Sequence, residues 1–257
     1  RREWRALSLV APSLNLDPDA KRFPLWVIPE KKLSVQDVLE ICGDYYQGTP
    51  YDLSLAPEAG PYGDALNPYH KERSINLFRT CYVMIANIKD RLPDPVKCLV
   101  WYGYGAADTT YITPLWPTMK ELPEFYRTGS RFEEFRRDSG WWTNSYVQQT
   151  ARSNYQSAVK EIHNFRNPRL ATLYTVTEEI QNTAASLIKD GKEKEALDLV
   201  SSFAYTTAVK WHDDWLKFGD ELYGTYMWGY KDMKSQPPSA WWNDIMQKAP
   251  RNPVPFK

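Results

Sequence analysis

The sequence predicts an α+β fold in which a small antiparallel sheet is set against a bundle of long helices. Two observations point to it. Residues 75–88, 97–104 and 109–116 are rich in β-branched and aromatic side chains and are joined by two tight links, Arg91-Leu92-Pro93-Asp94-Pro95 and Gly105-Ala106-Ala107-Asp108. Links that short make the strands antiparallel neighbours. From residue 139 to about 227 the periodicity changes to apolar side chains three and four residues apart, the mark of amphipathic helices.

Taken in order, residues 4–10 read as a strand ended by Pro12, and residues 23–28 as a second short apolar run closed by Pro29. Ser34 with Asp37 three residues on is a capping-box signal for a helix start. Val35, Val38, Leu39 and Cys42 then form its apolar stripe. Residues 48–70 are a long loop dense in Gly, Pro, Asp, Asn and Tyr, longer than a passive connection and of the kind that walls binding sites. It delivers the chain to the predicted sheet, with Arg73 at the mouth and Arg79 in the body of the first strand.

Residues 122–129 form a turn. A first long helix covers 139–165, and Asn167-Pro168 reads as an N-cap followed by a proline at the first helical position. The helix so opened carries Leu170, Leu173, Tyr174, Thr177, Ile180 and Ala184 on one face and stops at Gly191. A third runs from 193 to about 227 along Leu197, Val200, Ala204, Trp211, Trp215 and Leu222, and helices so closely linked should pack as an antiparallel bundle. The organisation expected is a sheet region with its pocket loop over 1–128, a helical region over 129–227, and a Pro- and Trp-rich tail over 228–257. The tail contains Pro237, Pro238, Pro250, Pro253 and Pro255 and is anchored to the body by Trp241 and Trp242.

Composition narrows the function classes. The 257 residues suit one large domain or two small ones. Lys+Arg and Asp+Glu balance at 32 each, which argues against nucleic-acid binding, and no apolar run is long enough to span a membrane. Residue 1 is Arg with no secretory pattern after it, so a processed product or a fragment is expected, and its compartment is undecided. The three cysteines read as reduced, buried thiols, with Cys81 and Cys98 placed to face each other on adjacent strands. His70, His163 and His212 lack metal-ligand spacing, and no metal or cofactor is called for. Gly103-Tyr104-Gly105 has neither the third glycine nor the helix of a phosphate cradle. Adjacent acids such as Glu133-Glu134 read as surface charge. Eleven Trp imply a thick aromatic core or a surface meant to be covered.

The succession of motifs resembles a known family. Trp4-Arg5 leads to Ala11-Pro12-Ser13, then to Pro29-Glu30-Lys31-Lys32-Leu33-Ser34, then to Gly48-Thr49-Pro50-Tyr51-Asp52. Glu72-Arg73-Ser74-Ile75, Phe78-Arg79-Thr80, Trp101-Tyr102-Gly103, Pro114, Leu122-Pro123 and Trp141-Trp142 follow in that order. Together they resemble the dipeptidase A/secernin family of cysteine peptidases, specifically so through residue 142 and by spacing and composition beyond it. The resemblance implies an N-terminal-nucleophile hydrolase: an αββα sandwich of two antiparallel sheets that releases amino acids from dipeptides. It also implies a nucleophilic cysteine at a mature N-terminus, whose own α-amino group takes the thiol proton. An α-amino group suits that task because its pKa lies near neutrality.

Arg1 cannot be that nucleophile, and none of Cys42, Cys81 and Cys98 has a free α-amine. The chain is therefore expected to be the C-terminal portion of such an enzyme, partnered by the half that carries the cysteine and prone to associate with it or with itself. Arg73 holds the position at which related acylases carry an arginine beside the nucleophile, where it would orient the cysteine and stabilise charge near the oxyanion. The alternative is an arginine bridging Asp52 or Glu72. Asp52, Tyr51 and Arg79 are the candidate substrate-binding residues, with Asp52 suited to a substrate ammonium or else to closing its own loop as an Asx turn. A different class also stays open: a non-catalytic, aromatic-rich module that binds a protein or carbohydrate.

Overall fold

The computed structural model describes residues 1–249 and is α+β. Its sheet has the order β1-β2-β3, with β1 at Tyr82–Ile88, β2 at Cys98–Tyr104 and β3 at Thr113–Leu115, both pairings antiparallel. Register runs from Tyr82 opposite Tyr104 to Ile88 opposite Cys98, and Val100 lies opposite Leu115. Side chains alternate faces along a strand, so this register sorts the sheet into two unlike surfaces. Val83, Ile85, Leu99 and Trp101 point inward and are buried, with Trp101 edge-on to Tyr174 at 4.7 Å. The other face carries Tyr82, Met84 and Ile88 at 55%, 59% and 60% exposure, beside half-buried Tyr102 and Val100. Half of the sheet is a core and half is a bare apolar wall.

The strands are shorter than the sequence predicts. Residues 75–81 do not pair, because their side chains bond locally in competition with a ladder. Ser74 Oγ donates to Asn76 O, and Thr80 turns back on Leu77 O through both its amide and its hydroxyl. Arg73 and Arg79 therefore sit on a loop and not in a strand. Residues 110–112 likewise run as extended chain after a single helical turn at Ala107–Thr109. Here the crossing is tight: a Cβ at Gly103 would lie 1.9 Å from the carbonyl oxygen of Tyr111.

Residues 4–10 are helical, within α1 (Arg2–Val10). The run is too short for its apolar residues to separate the two periods, and Ala6, Leu7 and Glu3 favour a helix. Residues 23–28 form no strand and leave Leu25, Trp26 and Ile28 largely exposed. α2 (Val35–Cys42) begins as expected, with Ser34 and Asp37 capping each other reciprocally and Val35, Val38 and Cys42 packed on the core around buried Leu39. Cys81 and Cys98 do not meet. Cys81 is exposed beside Gly105 while Cys98 pairs with Ile88 at the other end of the same hairpin. A short helical turn, α3 (Asp94–Lys97), leads into β2.

Behind the sheet lie α4 (Gly140–Arg152), α5 (Tyr155–Lys189) and α6 (Glu193–Thr225). The break between the first two falls at Ser153-Asn154, not at Asn167-Pro168. Asn154 Nδ2 donates to Gly229 O, and Ser153 Oγ lies within hydrogen-bond reach of Thr150 O and Tyr226 O. Pro168 instead lies inside a continuous 35-residue helix, about 50 Å long. Gly191, at φ +75°, turns the chain into α6 as predicted. Tyr111 stacks on Trp211 at 5.3 Å and Phe165 on Phe218 at 4.3 Å, joining sheet and helices in one aromatic core. Among the described residues no helix is long and apolar enough to cross a membrane.

The tail returns across the long loop. Ser239 N donates to Pro61 O, Tyr62 OH donates to Gln236 O, and Trp241 and Trp242 lie half-buried in α7 (Ala240–Lys248). Pro250, Pro253 and Pro255 lie outside the described residues.

Candidate functional site

The loop at residues 70–79 is fixed from below by two anchors and leaves Arg73 and Arg79 without an ion pair among the described residues, while Lys71 lies 3.9 Å from Glu58. Tyr46 is fully buried, and its hydroxyl donates to the carbonyl of Arg73 at 2.8 Å. Burial pushes that phenol up to about 12, so it stays a donor at neutral pH. The second anchor is Asn76, 1% exposed, whose amide donates to Asp44 O at 2.9 Å and whose side-chain Nδ2 donates to Asp108 Oδ1 at 2.5 Å. Asp44 is itself held by Arg5 at 2.8 Å and accepts from the amide of Tyr46.

Asp108 is the centre of this buried network. Its Oδ2 accepts from Tyr155 OH, its backbone carbonyl lies 3.1 Å from His163 Nε2, and Arg166 donates to Ala107 O and Thr110 O on either side of it. Burial raises the Asp108 carboxyl to about 6, against the opposing pull of Tyr155, Asn76 and Arg166. The same burial, aided by the Arg166 charge, lowers His163 to about 4, so this imidazole is neutral at pH 7. The first turns of α5 supply Tyr155, His163 and Arg166, so the loop is seated on the end of the longest helix.

Above the network is a cavity of about 220 Å³ that brings together Arg73, Arg79, His70, Asn76 and Phe78. Both arginines are exposed, and neither forms an ion pair among the described residues. The bridge to Asp52 or Glu72 is not made: Glu72 pairs with Arg1 at 3.1 Å, while Asp52 Oδ1 accepts from the amide and hydroxyl of Ser54. Asp52 thus closes its own loop as an Asx turn. Tyr51 also stands apart, under the Arg1 guanidinium at 4.0 Å and edge-on to Trp4. Of the four residues singled out in the sequence, the cavity gathers Arg73 and Arg79 and leaves Tyr51 and Asp52 outside.

Asn76, Asp108 and Tyr155 escaped the sequence reading. Asp108 ends a Gly-Ala-Ala-Asp link that looks like an ordinary turn. The one available signal was Arg166, a charge on the otherwise apolar side of a helix, which requires a buried partner. A larger groove of about 950 Å³ runs between α5 and α6 beside Phe165, Trp211 and Phe218, and none of Tyr51, Asp52, Arg73 and Arg79 lines it.

Comparison with known proteins places this geometry in context. The family model for peptidase family C69 matches residues 1–167, a stretch that contains the cavity and the whole Asp108 network. A "Probable dipeptidase A" of Streptococcus pyogenes serotype M18 is 24% identical over 172 residues, covering 66% of this chain and 34% of that protein. "Probable dipeptidase B" of Lactococcus lactis is 23% identical over 182 residues, covering 70% and 35%. "Dipeptidase A" of Lactobacillus helveticus is 23% identical over 194 residues, covering 75% and 38%. The chain spans about a third of the length of the curated relatives it matches.

Proposed function

The chain belongs to peptidase family C69, and from that premise we propose that it is the C-terminal portion of a cysteine dipeptidase whose nucleophile lies on polypeptide outside these residues. The observation that carries the proposal is the sheet. One face is packed by helices, while the other presents Tyr82, Met84 and Ile88 to solvent, and an apolar wall of that kind is normally an interaction surface. A second antiparallel sheet laid on it completes the αββα sandwich of an N-terminal-nucleophile hydrolase. The exposed Leu25, Trp26 and Ile28 and the edge of β1, unpaired among the described residues, offer further attachment for it.

In this reading the cysteine thiolate attacks the scissile carbonyl, its own α-amino group having taken the thiol proton. The acyl-enzyme forms as the amine leaves, and water then releases the first amino acid. The Arg73 guanidinium, exposed on the cavity and without an ion pair among the described residues, orients the nucleophile and stabilises the oxyanion. Arg79 contacts substrate, and the loop with Tyr51 and Asp52 walls the approach. The cysteines present are poorly suited to the nucleophile's role: burial raises the Cys42 thiol, and none of the three is N-terminal.

The test is reconstitution. Co-expressed with the remaining polypeptide of its parent, the chain should form a complex that hydrolyses unblocked dipeptides and is inactivated by thiol alkylation. A well-assembled complex without dipeptide hydrolysis overturns the proposal. Capture of a non-peptidase protein or a carbohydrate by the bare face alone supports the reading as an interaction module.

A further inference from the structure

Along α6, Lys210, Asp214, Lys217 and Glu221 alternate in sign at spacings of four, three and four residues. At about 100° and 1.5 Å per residue they form one stripe about 60° wide and about 16 Å long. All four line the broad groove between α5 and α6. A stripe of this kind often does no more than solvate a helix through pairs within it. Lys210 and Asp214 do form such a pair, at 2.8 Å, but Lys217 and Glu221, at the same spacing, form none among the described residues. Nor is the floor that of an ordinary wet face, because Phe165, Trp211 and Phe218 line it.

The spacing reads the same from either end, while the signs reverse. A second α6 laid antiparallel on the first sets Lys210 against Glu221 of the second copy and Asp214 against Lys217 of the second copy. A two-fold axis then repeats both pairs. Parallel, in-register alignment would instead oppose like charges. We infer that this groove is a self-docking surface, on which two copies of the chain pair α6 against α6 about a two-fold axis. Two antiparallel helix pairs so joined make a four-helix bundle. Exposed ion pairs add little affinity one by one, so their part is to set orientation and register. The lysine stems, laid over the aromatic floor, supply the apolar burial. The surface shares no residue with the bare sheet face, and it does not depend on the peptidase reading.

The experiment is sedimentation velocity over a concentration series, with Met84→Lys in every sample so that the sheet face does not contribute. The chain should form dimers, weaker by at least about tenfold at 1 M than at 0.1 M salt, as the Debye length falls from about 10 Å to about 3 Å. Lys217→Glu turns both symmetry-related contacts with Asp214 repulsive and should weaken the dimer by at least about tenfold. Asp214→Lys combined with Lys217→Glu exchanges the two signs, keeps every cross pair complementary in this register, and should restore association. Circular dichroism checks that each variant stays helical, and Glu221→Lys, which opposes Lys210, replaces Lys217→Glu if that variant does not. Monomers in every sample, dimers indifferent to the single reversals, or a double variant as weak as Lys217→Glu overturn the inference.

Discussion

Tyr155 and Asn76 grip the same carboxylate from opposite sides: the Tyr155 hydroxyl donates to Asp108 Oδ2, while the Asn76 carboxamide holds Oδ1 at 2.5 Å. Through that one group the first turn of α5 is tied to the loop that carries both exposed arginines. Tyr155→Phe removes one of the two donors and leaves a buried carboxylate half-satisfied. Urea unfolding should show a loss of about 1–3 kcal/mol, and the pH at which the carboxyl titrates should move further up.

The pH dependence of stability follows from two groups of opposite sign. Asp108 is raised to about 6, so its contribution is fully present below the ordinary carboxylate pKa and is lost as pH rises through 6. His163 is lowered to about 4, so its contribution is present above the ordinary imidazole pKa and is lost as pH falls toward 4. Each shift corresponds to about 3 kcal/mol, and the two nearly cancel between pH 4 and 6.5. Asp108→Asn should therefore uncover a falling Tm over that window on acidification, and His163→Gln a rising one. Thermal melts at half-unit pH steps test both, and parallel curves for all three proteins would refute the assignment.

Arg73→Ala separates catalysis from folding. The side chain is exposed and makes no ion pair among the described residues, so unfolding free energy should change by less than about 0.5 kcal/mol. If the proposed role holds, kcat of the reconstituted complex should fall by about a hundredfold, the usual scale for losing one charge-stabilising donor. A melting temperature low enough to explain the lost rate would return Arg73 to a structural role.

The bare sheet face can be altered without touching the core. Met84 is 59% exposed, so Met84→Lys should leave the isolated chain's unfolding midpoint within error. It should abolish assembly with the remaining polypeptide and reduce self-association in sedimentation velocity. Assembly that proceeds normally would count against this face as the proposed docking surface.

Pro168 is tolerated within α5 at a cost. It lacks the N–H that residue 164 would receive, while Arg169 Nη1 caps the neighbouring Phe165 carbonyl at 2.7 Å. Pro168→Ala should stabilise the protein by about 1–3 kcal/mol in urea unfolding.

What the sequence made legible was whatever local chemistry decides. Ser34 with Asp37, Gly191, and the β-branched and aromatic run at residues 97–104 each declared its element because the signal is complete within a few residues. Residues 4–10 misled because their length fits either period. Residues 75–81 misled because β-branched and aromatic content outweighs the hydroxyl and amide side chains that hold the segment out of the sheet. Arg73 and Arg79 were legible as charges beside a predicted sheet, and the structure sets both on one cavity. Asp108 was not, because its meaning comes from Asn76 and Tyr155, which lie 32 and 47 positions away along the chain.

The uninterrupted run of α5 through Pro168 sets where the chain can be divided. The family-model match to C69 ends at residue 167, about a third of the way along that helix. A truncation drawn there would saw through the rod whose opening turns seat Asp108, and would strip Trp211 and Trp215 from Tyr111. Gene fragments for expression should keep α5 and α6 whole, because the end of the family-model match and the border of the folding unit are different lines.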